Sequence, residues 1–334
     1  MINSVGGAAN GRDGSTGNIA QGSRERIIWA GSAGDRAGSE VPAAAPQKGI
    51  PLQALIKLVR APAALTVLGD TVAGAAAAGN PLRGRRLLLP LASASFYWSG
   101  MALNDWSDRE LDATERPERP IPSGQVTADQ ALAIAGGLTA AGLGLAALGG
   151  GKQAVKIAIP LAAAVWAYDT VLKSTVLGPL GMAACRTFDV LMGAGGNNRK
   201  ALQAAAAVGG HTLGLTALSR GEVHGGSKNV AGAALVGTAI VSAAATRGRA
   251  PTRWHRLGAS IAASVYSSTV GRAQLAAAKD PSAATVRKAT MAGIHGMVPL
   301  QAAIAARRGS LLGAVAVAAA LPVARALARK VSPT

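Results

Sequence analysis

Residues 128–148 read ADQALAIAGGLTAAGLGLAAL, and the one charged side chain of this stretch, Asp129, stands at its start. A helix of this length rises about 30 Å at 1.5 Å per residue, which is the thickness of the hydrocarbon core of a bilayer. Most of its side chains are Ala, Gly or Leu, and small side chains let neighbouring membrane helices approach closely. The stretch therefore predicts a membrane-spanning helix.

Nine further apolar segments have a similar length. The weakest is 257–278, because serines, Arg272 and Gln274 interrupt it. Very short polar loops, such as 149–152, 197–200 and 307–310, make neighbouring helices antiparallel. The sequence thus predicts an all-α, polytopic membrane bundle of nine or ten transmembrane helices. The nine further segments are 52–78, 87–103, 155–172, 178–195, 201–218, 230–245, 257–278, 289–306 and 311–327.

The composition of the 334 residues agrees with a membrane protein. Hydrophobic residues make up 49% and charged residues 15%, and the mean hydropathy is +0.28, whereas soluble domains average about 25% charged residues. The net charge is +18, but the basic residues form short clusters between apolar segments, where they would contact lipid headgroups. We therefore predict no nucleic-acid partner. Both sides of the bundle carry many Lys and Arg residues, so charge bias does not set the orientation.

Residues 1–48 differ from the rest of the chain. They are rich in Gly, Ser, Ala and Asn and contain no sustained apolar run. They also lack the basic stretch and apolar core of a signal peptide. We predict a disordered tail over 1–48 and a membrane domain over 49–334. The single cysteine, Cys185, excludes a disulfide framework and a Cys-built zinc site in this chain.

The three longest polar inserts, 104–127, 169–177 and 219–229, fall on one side of the alternating helices. The first begins NDWSDRELD, with Asp105, Asp108 and Asp112 at positions i, i+3 and i+7. On one helix these carboxylates would lie within about 60° of one another over about 10 Å. Such a column repels itself and is costly to desolvate. Mg²⁺ removes that cost and keeps coordination positions for substrate phosphate, so the pattern predicts a magnesium and diphosphate site.

Cations follow the carboxylates directly. Residues 116–124 read RPERPIPSG, a proline-stiffened segment that would hold Arg116 and Arg119 near the acidic motif. Guanidinium groups make bidentate contacts with phosphate. The alternative is a solvated, charged helix end, which is the usual role of an acidic loop.

The pattern NDxxDxxxD followed by RPxRPxPSG resembles the first signature of the UbiA superfamily of intramembrane prenyltransferases. Arg60-Ala-Pro62 and the pair Tyr168 and Lys173 are similar to two further elements of that family. The resemblance covers about 52–331. It implies a helical membrane bundle with a central cavity, in which Mg²⁺ holds a prenyl diphosphate donor and the prenyl chain passes to an acceptor.

The motifs, the charges inside apolar segments and the resemblance together predict roles for individual residues. Two of them keep a structural alternative: Lys173 as an ion pair with Asp169, and Arg186 as an ion pair with Asp189. The predicted metal ligands are Asp105, Asp108, Asp112 and Glu222; the predicted catalytic residues are Asp105, Asp108, Asp112 and Lys173; the predicted diphosphate contacts are Asn104, Arg116, Arg119, Lys173, Arg186 and Arg220; and the predicted acceptor-side residues are Arg60 and Asp70.

The second signature departs from the family pattern. Where the family has another Asp-rich cluster, residues 219–226 read SRGEVHGG, with Glu222 as the one carboxylate and His224 as a poor magnesium ligand. Together with GPLGMAACR at 178–186, this segment resembles the EboC-type bacterial branch. The predicted function is prenyl transfer to an aromatic or other small acceptor. Alternatives are a phosphorylated sugar or alcohol as acceptor, and a non-catalytic lipid-handling or transport protein. A membrane CDP-alcohol phosphotransferase is disfavoured, because its DGxxAR motif is absent.

Overall fold

The computed structural model describes residues 49–80 and 82–331, so the predicted tail, 1–48, lies outside the described residues. All regular elements in the described part are helical. Short 3-10 helices cover Ala61–Thr66, Gly84–Leu87 and Leu172–Ser174. The α-helices are α1 (Leu52–Leu58), α2 (Leu68–Ala78), α3 (Leu88–Ser107), α4 (Arg109–Glu115), α5 (Ala128–Thr170), α6 (Gly178–Ala194), α7 (Asn198–Ser219), α8 (Lys228–Thr246), α9 (Arg253–Lys279), α10 (Ala283–Arg307) and α11 (Leu311–Val331).

Helix α5 is a hairpin of two arms. Gly151 interrupts it with φ 63° and ψ −159°, a conformation that glycine adopts without a steric penalty. The indole Nε1 of Trp166 donates a hydrogen bond to Thr139 Oγ1 at 3.0 Å. A continuous helix would separate these two residues by about 40 Å. The two arms are therefore antiparallel, and they match the predicted segments 128–148 and 155–172.

The predicted all-α membrane bundle is confirmed. Each of the ten apolar segments coincides with helix in the structure: the first with α1, a 3-10 helix and α2, the others with α3, the arms of α5, and α6 to α11. By length and composition alone, four helical stretches of the described part qualify as membrane spans: Ala61–Ala78, Ala128–Thr170, Lys228–Thr246 and Ala283–Arg307. Segment 257–278, the weakest by sequence, lies within the 27-residue helix α9.

Helices α2 and α6 cross in backbone contact because each has a glycine at the crossing. A Cβ at Gly74 would overlap the carbonyl oxygen of Val190, and a Cβ at Gly193 would overlap the backbone of Thr71. Such small-residue contacts allow close helix packing in membranes.

We expect Gly74→Ala to lower the free energy of unfolding by about 1–3 kcal/mol, because the added methyl group overpacks this crossing. Gly237→Ala on α8 is the matched control, since no atom lies within 4 Å of a Cβ there; its better helix propensity adds stability of up to about 1 kcal/mol. Thermal unfolding in detergent measures both variants. If Gly74→Ala melted at the same temperature as Gly237→Ala, the close approach of α2 and α6 would be contradicted.

The loops gather on two opposite faces. Four loops are linked on the face that we call the acidic-motif face: the loop after α3 and those between α5 and α6, α7 and α8, and α9 and α10. Lys173 Nζ lies 2.7 Å from Asp108 Oδ1, the guanidinium of Arg220 donates to the Thr175 carbonyl, and Gly226 N–H donates to the Pro281 carbonyl at 2.7 Å. The other loops lie on the opposite face, where Asn197 Nδ2 donates to the Ala78 carbonyl at 3.2 Å. The three polar inserts thus share one side, as the alternation of helices predicts.

Candidate functional site

Asp105 lies in the last turn of α3, and only 3% of its surface is exposed. Its Oδ1 accepts hydrogen bonds from Arg60 at 3.1 Å and from Arg119 at 3.2 Å. Arg60 has left-handed backbone angles, φ 47° and ψ 49°, which no other described non-glycine residue shares. Such strained residues concentrate at functional sites. The buried carboxylate is therefore held between two guanidinium groups that come from different parts of the chain.

Asp112, which is buried in α4, shares one of these guanidinium groups. Arg119 Nη1 lies 2.5 Å from Asp112 Oδ2, so it bridges Asp105 and Asp112. Arg116 is farther away, with Nη1 at 3.8 Å from Asp112 Oδ1, and about half of its side chain is exposed. The proline-stiffened segment therefore places Arg119 among the carboxylates, as predicted, and leaves Arg116 at the edge.

Asp108 belongs to a separate ion pair. Its Oδ1 lies 2.7 Å from Lys173 Nζ, and both side chains are partly exposed. The prediction of a single column of three carboxylates on one helix is wrong, because α3 ends at Ser107 and α4 starts at Arg109. The helix break at Asp108 directs its carboxylate toward Lys173, while the other two carboxylates contact Arg119. The alternative of a local ion pair from Lys173 to Asp169 is also replaced by this longer-range contact.

Asp169 lies beside the motif residues, and the sequence predicts it only as an ion-pair partner of Lys173. It is 4% exposed, and its Oδ1 accepts a weak hydrogen bond from Asn104 Nδ2 at 3.4 Å. Gly100 makes room for it, since a Cβ there would lie 3.1 Å from Asp169 Oδ2. A signal was present in the sequence: a carboxylate at the end of an apolar segment is costly unless it is partnered. Side chains with oxygen atoms that can bind a metal ion thus meet where α3 and the second arm of α5 end.

Arg186 pairs across the bundle and not along its own helix. The predicted partner, Asp189, instead accepts a hydrogen bond from Ser93 at 2.5 Å. Arg186 Nε lies 2.9 Å from Asp70 Oδ2, and Gln301 Nε2 donates to Asp70 Oδ1 at 2.7 Å. The Asp70 side chain is fully buried and 13% of the Arg186 side chain is exposed. A molecule that enters the bundle would therefore contact Arg186, with Asp70 behind it.

A cavity of about 550 Å³ lies next to these residues, which is within the range of small-molecule sites. Its polar lining includes Tyr97, Tyr168, Arg186 and Glu222. Helices α6, α7 and α10 add both hydroxyl-bearing and apolar side chains, and most of the wall surface is carbon. Tyr168 is the neighbour of Asp169 in the chain. Tyr168 and Glu222 place one end of the cavity near the acidic-motif face, and Arg186 lines it inside the bundle.

The predicted metal ligands are not gathered into one cluster. Among residues 49–80 and 82–331, no group of three or more His, Cys, Asp or Glu side chains is placed to hold a metal ion. Glu222 lines the cavity, and its backbone carbonyl accepts a hydrogen bond from Arg287 at 2.6 Å. The donor chemistry near the end of α3 still suits Mg²⁺, since Asn104, Asp105 and Asp108 offer amide and carboxylate oxygens.

The UbiA prenyltransferase family matches residues 65–277, more than half of the chain. The chain therefore belongs to the UbiA prenyltransferase family. This match includes the acidic motif, the proline-stiffened segment, Lys173 and Glu222.

Several curated relatives align over parts of the sequence. Digeranylgeranylglyceryl phosphate synthase of Methanopyrus kandleri is 37% identical over 114 residues, which cover 34% of this chain and 41% of the relative. The synthase of the same name from Ignicoccus hospitalis is 44% identical over 98 residues, or 28% of this chain and 32% of the relative. Chloroplastic chlorophyll synthase of Oryza sativa subsp. japonica is 48% identical over 46 residues, or 14% and 12% of the two chains. The alignments thus span less than half of each relative.

Two solved structures share the fold. One comes from work on digeranylgeranylglyceryl phosphate synthase in membranes, with a TM-score of 0.59 and 18% identity over 77% of this chain and 98% of that one. The other is a UbiA homologue from Archaeoglobus fulgidus bound to DMAPP and Mg²⁺, with a TM-score of 0.50 and 14% identity over 75% and 98%. At these identities the likeness shows the fold alone.

Proposed function

We propose that this protein transfers a prenyl group from a prenyl diphosphate to an acceptor inside the membrane, with Mg²⁺ as cofactor. The observation that carries the proposal is the convergence of motif carboxylates with Arg60, Arg119 and Lys173 beside a mostly apolar cavity. Carboxylates alone would repel a diphosphate. Together with a divalent cation and three basic side chains, they form a site that attracts a diphosphate.

Asp105 and Asp108 would hold Mg²⁺, with Asn104 and Asp169 beside them. The bound ion would supply Lewis-acid stabilisation of the leaving diphosphate. Lys173 and Arg119 would bind the remaining diphosphate oxygens, because their cationic groups lie 2.7 Å and 2.5 Å from motif carboxylates. These groups would stabilise the negative charge that develops on the diphosphate as it leaves. The apolar cavity walls would bind the prenyl chain and exclude water from the reacting carbon.

We favour a phosphorylated alcohol as the acceptor. The names of the two archaeal relatives point to a glyceryl phosphate, and Arg186 offers a guanidinium in the cavity wall that Asp70 holds in place. An aromatic acceptor is the second candidate. One relative is named chlorophyll synthase, which indicates that acceptors differ within the family. The likeness of 178–186 and 219–226 to the EboC-type branch stays a prediction.

A transfer assay tests the function. Purified protein in lipid receives labelled geranylgeranyl diphosphate, Mg²⁺, and either geranylgeranylglyceryl phosphate or an aromatic acid. We expect a new prenylated lipid with the phosphorylated acceptor, formed together with one diphosphate for each product. Transfer to the aromatic acid alone would overturn the acceptor assignment. Donor binding without release of diphosphate, for several donors and a crude lipid extract, would favour the non-catalytic lipid-handling alternative.

A further inference from the structure

The face opposite the acidic motif is strongly basic. Its loops and adjoining helix turns cover 79–87, 149–156, 195–200, 246–256 and 307–310, and these segments contain no Asp or Glu. Every described Asp and Glu side chain lies elsewhere, either on the acidic-motif face or inside the bundle. The charged side chains of these segments are Arg83, Arg85, Arg86, Lys152, Lys156, Arg199, Lys200, Arg247, Arg249, Arg253, Arg256, Arg307 and Arg308. Such a surface attracts anionic lipid headgroups.

A groove of about 880 Å³ opens at this face. Apolar side chains of α2 and α11 form its walls, among them Leu68, Val72 and Val317, and the groove ends near Asn80 and Pro90. Within the described part of the chain, it shares no lining residue with the cavity near the acidic motif. The groove therefore offers an apolar channel along the span Ala61–Ala78 and the apolar stretch Leu311–Ala320 of α11.

Three basic side chains stand at the end of this groove. They are Arg83, His255 and Arg308, and none of the described residues that line the groove carries a carboxylate. Arg308 Nη2 donates to Gln203 Oε1 at 2.7 Å, and Thr252 Oγ1 lies 2.8 Å from His255 Nδ1. These contacts hold the Arg308 guanidinium and the imidazole in place. A phosphate monoanion or diester fits such a set of donors by charge and by hydrogen bonding.

We propose that this groove binds an anionic phospholipid of the surrounding bilayer. The headgroup phosphate lies among Arg83, His255 and Arg308, and one acyl chain lies along α2 and α11. Both parts of the ligand are matched by what lines the groove: positive charge at the membrane surface and apolar side chains below it. A zwitterionic lipid should bind more weakly, because the cation of its own headgroup competes with the basic side chains for the phosphate.

Native mass spectrometry of the intact protein, released from detergent with phosphatidylglycerol or phosphatidylcholine, tests the proposal. We expect wild-type protein to retain phosphatidylglycerol about ten-fold more strongly, and we expect Arg83→Gln/Arg308→Gln to lose that preference. The matched control is Arg85→Gln/Arg249→Gln, since both residues are exposed on the same face and neither lines the groove. Melting temperatures within 2–3 °C of wild type, a margin of about 1 kcal/mol, verify that each variant is folded.

A second pair of variants tests the acyl-chain channel without changing charge. Ala316→Trp fills the groove and should weaken phosphatidylglycerol binding, whereas Ala319→Trp, on the same helix but outside the groove lining, should not. Inorganic phosphate at millimolar concentration should fail to displace the lipid. Equal losses in both arginine pairs would overturn the proposal in favour of diffuse surface attraction. Displacement by phosphate alone, or no effect of Ala316→Trp, would overturn the assignment of a lipid.

Discussion

Asp108→Asn should lower the rate of prenyl transfer by two orders of magnitude or more. The substitution removes a carboxylate that we assign to Mg²⁺ and leaves the Lys173 ammonium, 2.7 Å from that carboxylate, without its ionic partner. Loss of one group that stabilises charge in the transition state typically costs about 10²–10³-fold in rate. The measurement is diphosphate release from geranylgeranyl diphosphate in the presence of Mg²⁺ and acceptor, with single-turnover kinetics to separate binding from chemistry.

Glu110→Gln is the matched control for this variant. Glu110 is two residues away in the same motif, 88% of its side chain is exposed, and it forms an ion pair with its neighbour Arg109. It should therefore retain activity within two-fold of wild type. Equal activity of the two variants would contradict the assignment of Asp108. A large loss in both would mean that the total negative charge of the loop is required, and not the Asp108 carboxylate in particular.

Asp70→Leu should lower the free energy of unfolding by about 3–5 kcal/mol. Asp70 is fully buried and carries the ion pair to Arg186 and the hydrogen bond from Gln301. Removing one partner of a buried ion pair leaves the other charge without compensation, and this costs about that much. Thermal unfolding in detergent, compared with wild type under the same conditions, measures the effect.

Two further variants identify the cause of that loss. Asp70→Leu/Arg186→Met removes both charges and should regain most of the stability, because apolar replacements of whole buried ion pairs are often neutral. Asp129→Asn removes an exposed carboxylate at the start of α5 and should change the melting temperature little. If the double variant is no more stable than Asp70→Leu, the ion pair is not the reason for the loss.

The fold could be predicted from the sequence to a large extent. A run of apolar residues of bilayer length becomes a helix because lipid offers no hydrogen-bond partner to the backbone. The ten segments follow from this rule, and so does the hairpin at Gly151, since the polar loop 149–152 separates two runs that are each long enough to span. The tight crossing of α2 and α6 was beyond such reasoning, because glycines in a helix do not show which helix they face.

For the candidate site, the sequence indicates which types of residue come together but not which residues pair. Periodicity relates residues on one helix, so Asp189 was the natural partner for Arg186. The structure brings Asp70 there from 116 residues away. The same limit applies to Asp108 and Lys173, which meet because α3 and α5 end on the same face. The break after Ser107 also escaped prediction, since Asp105, Asp108 and Asp112 keep a helical spacing across it.

The most direct test of the proposed chemistry is the fate of the labelled prenyl group in the presence of Mg²⁺ and of EDTA. Purified wild-type protein in lipid is incubated with labelled geranylgeranyl diphosphate and geranylgeranylglyceryl phosphate, and the lipid products are identified by mass spectrometry. We predict one new doubly prenylated lipid with Mg²⁺ and none with EDTA. Recovery of unchanged donor under both conditions, from protein that demonstrably binds it, would contradict the account.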